Sequence, residues 1–280
     1  MAAERKAEKG VGEYKMDIRL LEKNSSKTKI SFLLNKVSTS YVNTLRRIFV
    51  NRVPVLAIET VEFKKNNSVM YDEQVAHRLG LVPLVTDYKS YNLKSECKCG
   101  GKGCAQCELK LKLKAKGEKI VVASDIKSTD PKVKPAQDGI PIVKLLKGQE
   151  LELLATAELS EGREHAKWAP GLVFYRYKPD IKISKKGESR EECAKVCPVK
   201  VFDFNNKLKI NQDNYLKCHL CGACEEASNG EVKVTHDKTS HVVFMESWGQ
   251  LNCKDMAKIG VERFNKILDT FSNEVKKTLK

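Results

Sequence analysis

Ten cysteines in 280 residues restrict how this chain can fold more than any other feature, because nine of them fall into two short segments. The segments are 97–107 and 193–224, and Cys253 lies apart from both. Disulfide-bonded cysteines are typical of secreted chains, whereas short clustered spacings in a cytosolic chain are typical of metal sites. The sequence therefore predicts two regions whose folding depends on bound metal.

The first segment, CKCGGKGCAQC, has the composition of a zinc loop. Its glycines at 100, 101 and 103 let the backbone turn tightly, which brings two cysteine pairs around one ion. Four thiolates suit tetrahedral zinc, and this closed shell leaves no position for water, so a bound zinc is expected to be structural. The alternative is a loop of four free thiols. The predicted ligands, called the loop cysteines, are Cys97, Cys99, Cys104 and Cys107.

The second segment contains part of an iron–sulfur motif. A two-cluster ferredoxin repeats Cys-x2-Cys-x2-Cys-x3-Cys-Pro, and the fourth cysteine of each repeat ligates the other repeat's cluster. Here CHLCGAC supplies three ligands, and Cys197, followed by Pro198, supplies the fourth. One 4Fe–4S cluster is therefore expected, with zinc or no metal as the alternatives. Its predicted ligands, called the insert cysteines, are Cys197, Cys218, Cys221 and Cys224.

A second cluster is not expected. Of the three leading cysteines in its repeat only Cys193 remains, and Ser228 occupies the position of the cross-repeat ligand. Most of the ligand set is thus missing or replaced. Cys193 is then a relic, a free thiol or a redox partner for Cys253.

Hydrophobic periodicity predicts an α+β fold. Segments 16–23 and 27–34 alternate apolar and polar residues around a turn, which is typical of a hairpin. Segment 38–52 has one apolar face and predicts a helix. Segments 57–63 and 108–116 indicate strands, the second with leucines on one side and lysines on the other.

The last residues predict a long helix with an apolar stripe. About 25 residues at about 1.5 Å each span roughly 40 Å, which is long for one small domain to cover. Either the stripe packs within the chain or a partner helix covers it. Its members are Met256, Ile259, Phe264, Ile267, Leu268, Phe271 and Val275.

Several motifs together resemble one family, the D subunits of archaeal RNA polymerases. They are NTLRRIFVNRVPVLAIETVEF (43–63), VAHRLGLVPL (75–84), GREHAKW (162–168) and FMESWGQL with the helix that follows it (244–280). The third-largest eukaryotic polymerase subunits and the N-terminal domains of bacterial alpha subunits are more distant relatives.

The resemblance implies an alpha-subunit-like, discontinuous dimerisation domain with a β-rich domain inserted in it. A ferredoxin-like iron–sulfur domain is in turn inserted in the β-rich domain, which also carries the zinc loop. The implied boundaries are 1–14 for a mobile tail, 15–57 and 236–280 for the dimerisation domain, 58–184 for the β-rich domain and 185–235 for the ferredoxin-like domain.

The resemblance also implies a function, that of a non-catalytic assembly subunit. Its partners would be subunit L in a heterodimer, then the small subunits N and P, then the two large catalytic subunits. Arg46 and Arg47 match a TLRR block that would face the large subunits, and a solvated charged face is the alternative. The implied interface with subunit L consists of Val42, Leu45, Ile48, Phe49, Phe264, Ile267, Leu268 and Phe271.

Composition leaves two competing functions open. The net charge of +15 comes from lysines spread along the chain, which indicates either a solvated surface or a place near nucleic acid. Direct DNA binding is therefore one competitor, although DNA contact through the assembled enzyme is expected. A ferredoxin-like electron carrier is the other.

Catalysis, a membrane and secretion are not expected. The sequence has no Asp-rich catalytic loop and no Gly-rich phosphate loop. No apolar run reaches the roughly 18 to 20 residues of a membrane span. The first residues lack the apolar core of a secretory signal, so the cytoplasm is the expected location.

Overall fold

The computed structural model describes residues 16–279, so the predicted mobile tail 1–14 lies outside the described residues. Within them the chain is a mixture of helices and strands. The helices are α1 (Thr39–Asn51), α2 (Asp72–Gly80), α3 (Glu192–Val196), α4 (Ala223–Ala227) and α5 (Cys253–Thr278). The strands are β1 (Asp17–Lys23), β2 (Lys29–Asn35), β3 (Val55–Asn66), β4 (Glu108–Lys116), β5 (Lys119–Val122), β6 (Lys127–Ser128), β7 (Pro141–Leu145), β8 (Glu150–Ser160), β9 (Gly171–Ile183), β10 (Phe202–Phe204), β11 (Leu208–Ile210) and β12 (Val232–Ser247).

The elements predicted from periodicity are present. Strands β1 and β2 are neighbours in a four-stranded sheet of order β1-β2-β12-β9. Helix α1 covers the predicted segment to within one residue at each end, and α2 ends at Gly80. Helix α5 begins after Asn252, whose side chain accepts the backbone N–H of Asp255 at 2.9 Å, an N-cap that satisfies a donor of the first turn.

A second four-stranded sheet, of order β3-β8-β4-β6, carries the largest core. Strand β4 alternates as predicted, with its leucines buried and its lysines exposed, and it pairs antiparallel with β8. Val75 and Leu79 of α2 belong to the same core. Since β4 begins at Glu108, the residue after the last loop cysteine, this rigid sheet fixes one end of the cysteine loop.

The chain divides into two compact units, each containing one group of cysteines. The first comprises residues up to Leu21, Ser31–Asn43 and Tyr175–Val243, and it contains the insert cysteines. The second comprises Glu22–Ile30, Thr44–Phe174 and Phe244–Lys280, and it contains the loop cysteines. The domain boundaries given in the sequence analysis stay predictions.

The region around the insert cysteines has a small core of its own. Strands β10 and β11 form an antiparallel hairpin, and α3 and α4 are single helical turns. Three cysteines are themselves part of the buried cluster that this region encloses. Its members are Ile181, Cys193, Val201, Phe202, Leu208, Cys218, Cys224 and Val232.

Helices that could serve as membrane spans were sought along residues 16–279, and none combines the length and the apolar character required.

Candidate metal centres

The loop cysteines converge on one point. Cys99 Sγ lies 3.4 Å from Cys97 Sγ and 3.6 Å from Cys107 Sγ. Cys104 Sγ lies 3.6 Å from Cys97 Sγ and 3.7 Å from Cys107 Sγ. All four sulfur atoms fall within 4.8 Å of one another, so this group can hold a metal ion.

The spacing of these sulfur atoms fits a single tetrahedral ion. Four ligands at the Zn–S distance of about 2.3 Å would lie about 3.8 Å apart at the corners of a tetrahedron. The observed separations of 3.4 to 3.7 Å come close to that value. A multinuclear cluster would hold its thiolates farther apart, because several metal atoms would lie between them.

The glycines give the loop its shape. Gly100, Gly101 and Gly103 all have positive φ, at 63°, 80° and 89°. A Cβ at Gly103 would lie 2.6 Å from a carboxylate oxygen of Glu108, so a side chain there would be strained by its backbone conformation and would also displace this carboxylate. The backbone N–H of Cys104 donates to Cys107 Sγ at 3.2 Å and so orients that ligand.

The protonation of the loop thiols differs along the loop. The hydrogen bond with Cys97 lowers the pKa of the Cys99 thiol to about 6, so Cys99 is ready to bind a cation at neutral pH. Burial raises the pKa of the Cys107 thiol to about 12. Because thiolates are the ligands, a metal must displace the Cys107 proton when it binds.

Ion pairs fasten the loop to helix α5. Arg263 donates Nη1–H to Glu96 at 3.0 Å and Nη2–H to Glu161 at 2.6 Å. Lys266 also pairs with Glu96, at 2.8 Å, and Arg52 pairs with Glu161 at 3.0 Å. The side chains of Arg263 and Glu161 are only 15% and 10% exposed, which limits screening by solvent. Since Glu96 immediately precedes the first loop cysteine, the network ties the loop to the helix.

The insert cysteines line a single pocket. It contains about 320 Å³ of empty space, including open solvent, and all four insert cysteines are among its lining residues. The remaining wall is mostly apolar and includes Val199, Val201, Phe202 and Val234. Cys218 and Cys221 precede α4, Cys224 lies in its first turn, and Cys197 follows the last residue of α3. The pocket therefore exists only when the region has folded.

Backbone amides point at the insert thiols. The N–H of Val201 donates to Cys197 Sγ at 3.3 Å, and the N–H of Leu220 donates to Cys218. Leu220 and Gly222 have positive φ, at 59° and 80°, which curls the chain around the thiols between them. Such amide donors tune the potential of iron–sulfur centres, because they stabilise negative charge on the sulfur.

The insert cysteines are less closely gathered than the loop cysteines. Within residues 16–279, the insert cysteines do not form a group of ligand atoms within 4.8 Å of one another, as the loop cysteines do. Four cysteine thiolates are the ligand set of a 4Fe–4S core. Burial raises the pKa of Cys218, and it raises the pKa of Cys224 to about 11, so proton release would accompany ligation at these two residues.

Cys193 and Ser228 belong to a packed interior. Both are fully buried, and Cys193 Sγ donates to the carbonyl oxygen of Cys224 at 3.3 Å. Ser228 Oγ donates to the carbonyl oxygen of Glu225 at 3.1 Å. Cys193 and Cys253 are both free thiols, and Cys253 donates instead to the carbonyl oxygen of Thr28 at 3.1 Å. Cys193 and Cys253 therefore donate to different backbone carbonyl oxygens.

Helix α5 has two different parts. Its first half is buried, and a Cβ at Gly260 would lie 2.4 Å from the ring of Phe49, so α5 and Phe49 are in close contact. Its second half is exposed, with Leu268 at 48% and Phe271 at 68%. The exposed apolar positions, called the α5 stripe, are Val261, Ile267, Leu268, Phe271 and Val275, with Phe264 half-buried between them.

Helix α1 differs from the second half of α5, because most of its predicted interface residues are buried. Val42, Ile48 and Phe49 are buried within this chain, and Leu45 is half-buried. Of the two arginines in the TLRR block, Arg46 is half-buried and Arg47 is exposed. The predicted interface residues that are free to meet a partner are therefore concentrated on α5.

Comparison with known proteins shows strong and extended similarity to one group. A protein of Methanosarcina acetivorans named DNA-directed RNA polymerase subunit Rpo3 is 40% identical over 245 residues, which are 86% of this chain and 91% of the relative. The chain belongs to the Rpo3 family of DNA-directed RNA polymerase subunits. The family resemblance seen in the sequence is thereby confirmed.

Other Rpo3 proteins match over similar lengths. That of Methanosphaera stadtmanae is 38% identical over 269 residues, covering 93% of this chain and 98% of the relative. That of Archaeoglobus fulgidus is 33% identical over 247 residues, covering 88% and 92%. Residues 60–171 also match the family described as the RNA polymerase Rpb3/RpoA insert domain. The loop cysteines and the β3-β8-β4-β6 sheet lie in this matched region, except for the first five residues of β3.

Sequence reasoning missed the residues that support the two centres. The Arg263 network joins Arg52, Glu96 and Glu161, and no local motif marks these positions as partners. Arg176 likewise reaches a distant segment beside the insert cysteines. Their role depends on tertiary contacts between residues about 40 or more positions apart, so pattern and spacing carry no signal for them.

Proposed function

We propose that this member of the Rpo3 family is a non-catalytic assembly subunit of a cytoplasmic, DNA-dependent RNA polymerase. It forms a heterodimer with subunit L, and the heterodimer is the platform for the small subunits N and P and the two large catalytic subunits. DNA is reached only through the assembled enzyme. The observation that carries the proposal is the α5 stripe.

The α5 stripe has the spacing of a helix–helix seam. Val261, Phe264, Leu268, Phe271 and Val275 follow one another at alternating intervals of three and four residues, which keeps them on one side of α5. Large apolar side chains in such a row are typical of surfaces that another helix covers. Burying each one is worth about 1.5 to 3 kcal/mol before the costs of association.

A charge placed in the α5 stripe tests this proposal. Phe271→Glu should abolish co-purification of subunit L, because a carboxylate would be buried without a partner. Asn273→Glu is the matched control, since it adds the same charge to an exposed position of the same helix outside the stripe. Equal recovery of subunit L with both variants would refute the role of the stripe.

The loop cysteines are proposed to hold one structural zinc ion. Cys97, Cys99, Cys104 and Cys107 would supply all four ligands, which leaves no position for a reacting water. The support is the near-tetrahedral spacing of their sulfur atoms. When bound, zinc would replace a hydrophobic core in holding this glycine-rich loop together.

The insert cysteines are proposed to hold one 4Fe–4S cluster. Cys197, Cys218, Cys221 and Cys224 would supply its four thiolates. Bound iron and sulfide would supply a one-electron couple, and the apolar wall with its amide donors would shield it and stabilise its charge. The first role of the site is structural, because the small core around it includes two of the ligands.

A redox-sensing role is a further part of this proposal. Cys221 is the exposed insert cysteine, so oxidants can approach the centre from that side. Loss of the cluster would loosen the region and weaken assembly of the polymerase. If air-treated heterodimer, stripped of iron, still bound the large subunits as tightly as before, this role would be excluded.

The exposure of Cys221 also favours the second candidate, an electron carrier. A carrier must exchange electrons reversibly with a protein partner at a useful rate. Stopped-flow reduction of the heterodimer by a low-potential ferredoxin would test this. Rapid, saturable reduction favours the carrier, and reduction only by excess dithionite favours the assembly subunit.

A further inference from the structure

Arg176, in strand β9, reaches the segment that leads into the insert cysteines. Its Nη2–H donates to the carbonyl oxygen of Leu216 at 2.6 Å, and its Nη1–H donates to the carbonyl oxygen of Lys217 at 3.0 Å. The next residue is Cys218. One guanidinium thus donates hydrogen bonds to two successive peptide carbonyls immediately before a predicted cluster ligand. The planar, forked arrangement of its N–H groups suits such a pair of acceptors.

Tyr215 fastens the same segment from the other side. Residues 215–217 form a short 3-10 turn, and the Tyr215 hydroxyl donates to the carbonyl oxygen of Pro179, also in β9. The side chain of Arg176 therefore runs from the strand to the turn, and that of Tyr215 runs from the turn to the strand. Two opposed contacts fix the turn, and with it the backbone position of Cys218.

Arg176 also brings charge to the site. The guanidinium stays protonated at neutral pH, and its two hydrogen bonds place that charge beside the peptide that leads into Cys218, where it attracts negative charge on this ligand. The residue is half-buried, so this interaction is screened less than a surface pair would be. A positive charge next to a cluster ligand stabilises the more negative, reduced state of a cluster.

We propose that Arg176 is a positioning residue of the insert centre, which holds Cys218 in its ligating place and raises the reduction potential of the bound cluster. The proposal rests on the proposed 4Fe–4S occupancy. It assigns Arg176 two separable roles. The two hydrogen bonds to the carbonyls slow loss of the cluster, and the positive charge raises its reduction potential.

Three variants separate the two roles. Arg176→Gln removes both the fork and the charge. Arg176→Lys keeps the charge but cannot span both carbonyls in a plane. Tyr215→Phe removes one fastening of the turn without changing any charge. Lys182→Gln is the matched control, because it removes one positive charge from a 76% exposed side chain of the same strand.

The experiment uses the full chain, purified without oxygen as its heterodimer with subunit L. Iron and sulfide are counted, the midpoint potential is titrated with dithionite, and bleaching in air is followed by absorbance. Supporting contacts around metal sites typically change affinity by about 10- to 100-fold. We expect Arg176→Gln to bleach about tenfold faster and to have a lower midpoint potential. Arg176→Lys and Tyr215→Phe should bleach faster with an unchanged potential, and Lys182→Gln should match the parent.

The outcomes are distinguishable. If the parent contains iron and sulfide but Arg176→Gln has the same bleaching rate and potential, the role of Arg176 is refuted while the proposed cluster stands. If the parent contains neither, both proposals fall. If Arg176→Gln is isolated without iron, the test passes to Arg176→Lys. A normal bleaching rate in Arg176→Lys refutes the role of the two hydrogen bonds to the carbonyls. A lowered midpoint potential in Arg176→Lys refutes the role of the charge.

Discussion

The loop cysteines and the insert cysteines are both sets of four thiols, but they are assembled in different ways. The loop set lies within one short segment, and its sulfur atoms already stand 3.4 to 3.7 Å apart along the contacts that join them. The insert set joins Cys197 to three cysteines beyond the β10–β11 hairpin, and its thiols surround a pocket. The first geometry suits one ion, and for the second we propose a cluster.

The difference shows how much each centre depends on tertiary structure. Closing a short glycine-rich loop costs little chain entropy, so local sequence can bring the loop cysteines together. The insert cysteines meet only if a hairpin and two helical turns pack between them. The loop centre should therefore form early and survive local unfolding, whereas the insert centre should report on the integrity of its whole region.

The largest expected effect is the separate loss of one metal. Cys107→Ser should reduce zinc from one to none per chain and leave iron unchanged, because the sets share no ligand. A shell of three thiolates no longer encloses the ion, so zinc should be lost when the variant is purified in the presence of a chelator. Elemental analysis of the purified heterodimer measures both metals.

A control for this experiment exists within the chain. Cys193→Ser changes a buried thiol that is not a predicted ligand, so both metals should be retained. Loss of iron in Cys107→Ser, or of zinc in an insert-cysteine variant, would show that the two centres are not independent.

Exposure to air is expected to have the next largest effect, because it should remove the metal from one centre and not from the other. Zinc has no redox chemistry at a closed thiolate site, whereas iron–sulfur centres are oxidised and released. Exposure of Cys221 gives oxidants access to the insert centre. After aerobic incubation, iron and sulfide should fall while zinc stays at its starting value. Parallel loss of both would mean that the loop centre depends on the insert centre.

The ion pairs that anchor the loop should have a moderate effect. Arg263→Met removes one of the two cationic partners of Glu161, which is 10% exposed, and of Glu96, which is 42% exposed, so the free energy of unfolding should fall by about 2 kcal/mol. Lys258→Met, which removes a 71% exposed lysine of the same helix, should leave stability unchanged. Denaturant unfolding of the zinc-loaded heterodimer measures both. Equal stabilities of the two variants would show that the Arg263 network does not stabilise the protein.

Two glycine variants give a smaller contrast. Gly222→Ala places a Cβ in open space at a φ of 80°, so the cost is the left-handed backbone alone, about 1 kcal/mol. Gly103→Ala would also displace the Glu108 carboxylate from its ion pair with Lys94, which should cost up to about 1 kcal/mol more. Thermal unfolding of metal-loaded protein should rank Gly103→Ala below Gly222→Ala. The reverse order would contradict the loop geometry.

The last expected effect is a dependence of zinc affinity on pH. The pKa of Cys107 is about 12, so zinc must displace its proton at any pH near neutral. The cost of that displacement falls as pH rises, and zinc affinity should therefore increase from about pH 6 to about pH 8. Competition with a chromophoric chelator measures it. A flat profile would mean that the thiols are already ionised before zinc binds.

Much of the architecture followed from local patterns. Alternation placed β4 with its leucines inward, and cysteine spacing singled out the loop group that the structure brings together. The periodicity of α5 also allowed two interpretations, core or partner helix, and the structure has a buried half and an exposed half. The sequence predicted the apolar stripe. It did not predict that the buried part of α5 ends near Gly260, where the helix contacts Phe49.

The rest depends on contacts that local patterns do not encode. Val42, Ile48 and Phe49 were predicted to meet a partner, yet they are buried in this chain, because helical periodicity finds an apolar face without saying what covers it. The partners of Arg176 and Arg263 are set by the tertiary fold. No spacing rule links an arginine to carbonyls 40 residues away.

The central claim is that an assembly subunit carries two structurally different metal centres. The most direct test counts iron, acid-labile sulfide and zinc in the heterodimer with subunit L, expressed and purified without oxygen. The account predicts about four iron and four sulfide with about one zinc per chain. A soluble heterodimer with zinc but without iron and sulfide would contradict it, because the insert cysteines would then have the spacing of a cluster site and hold no cluster.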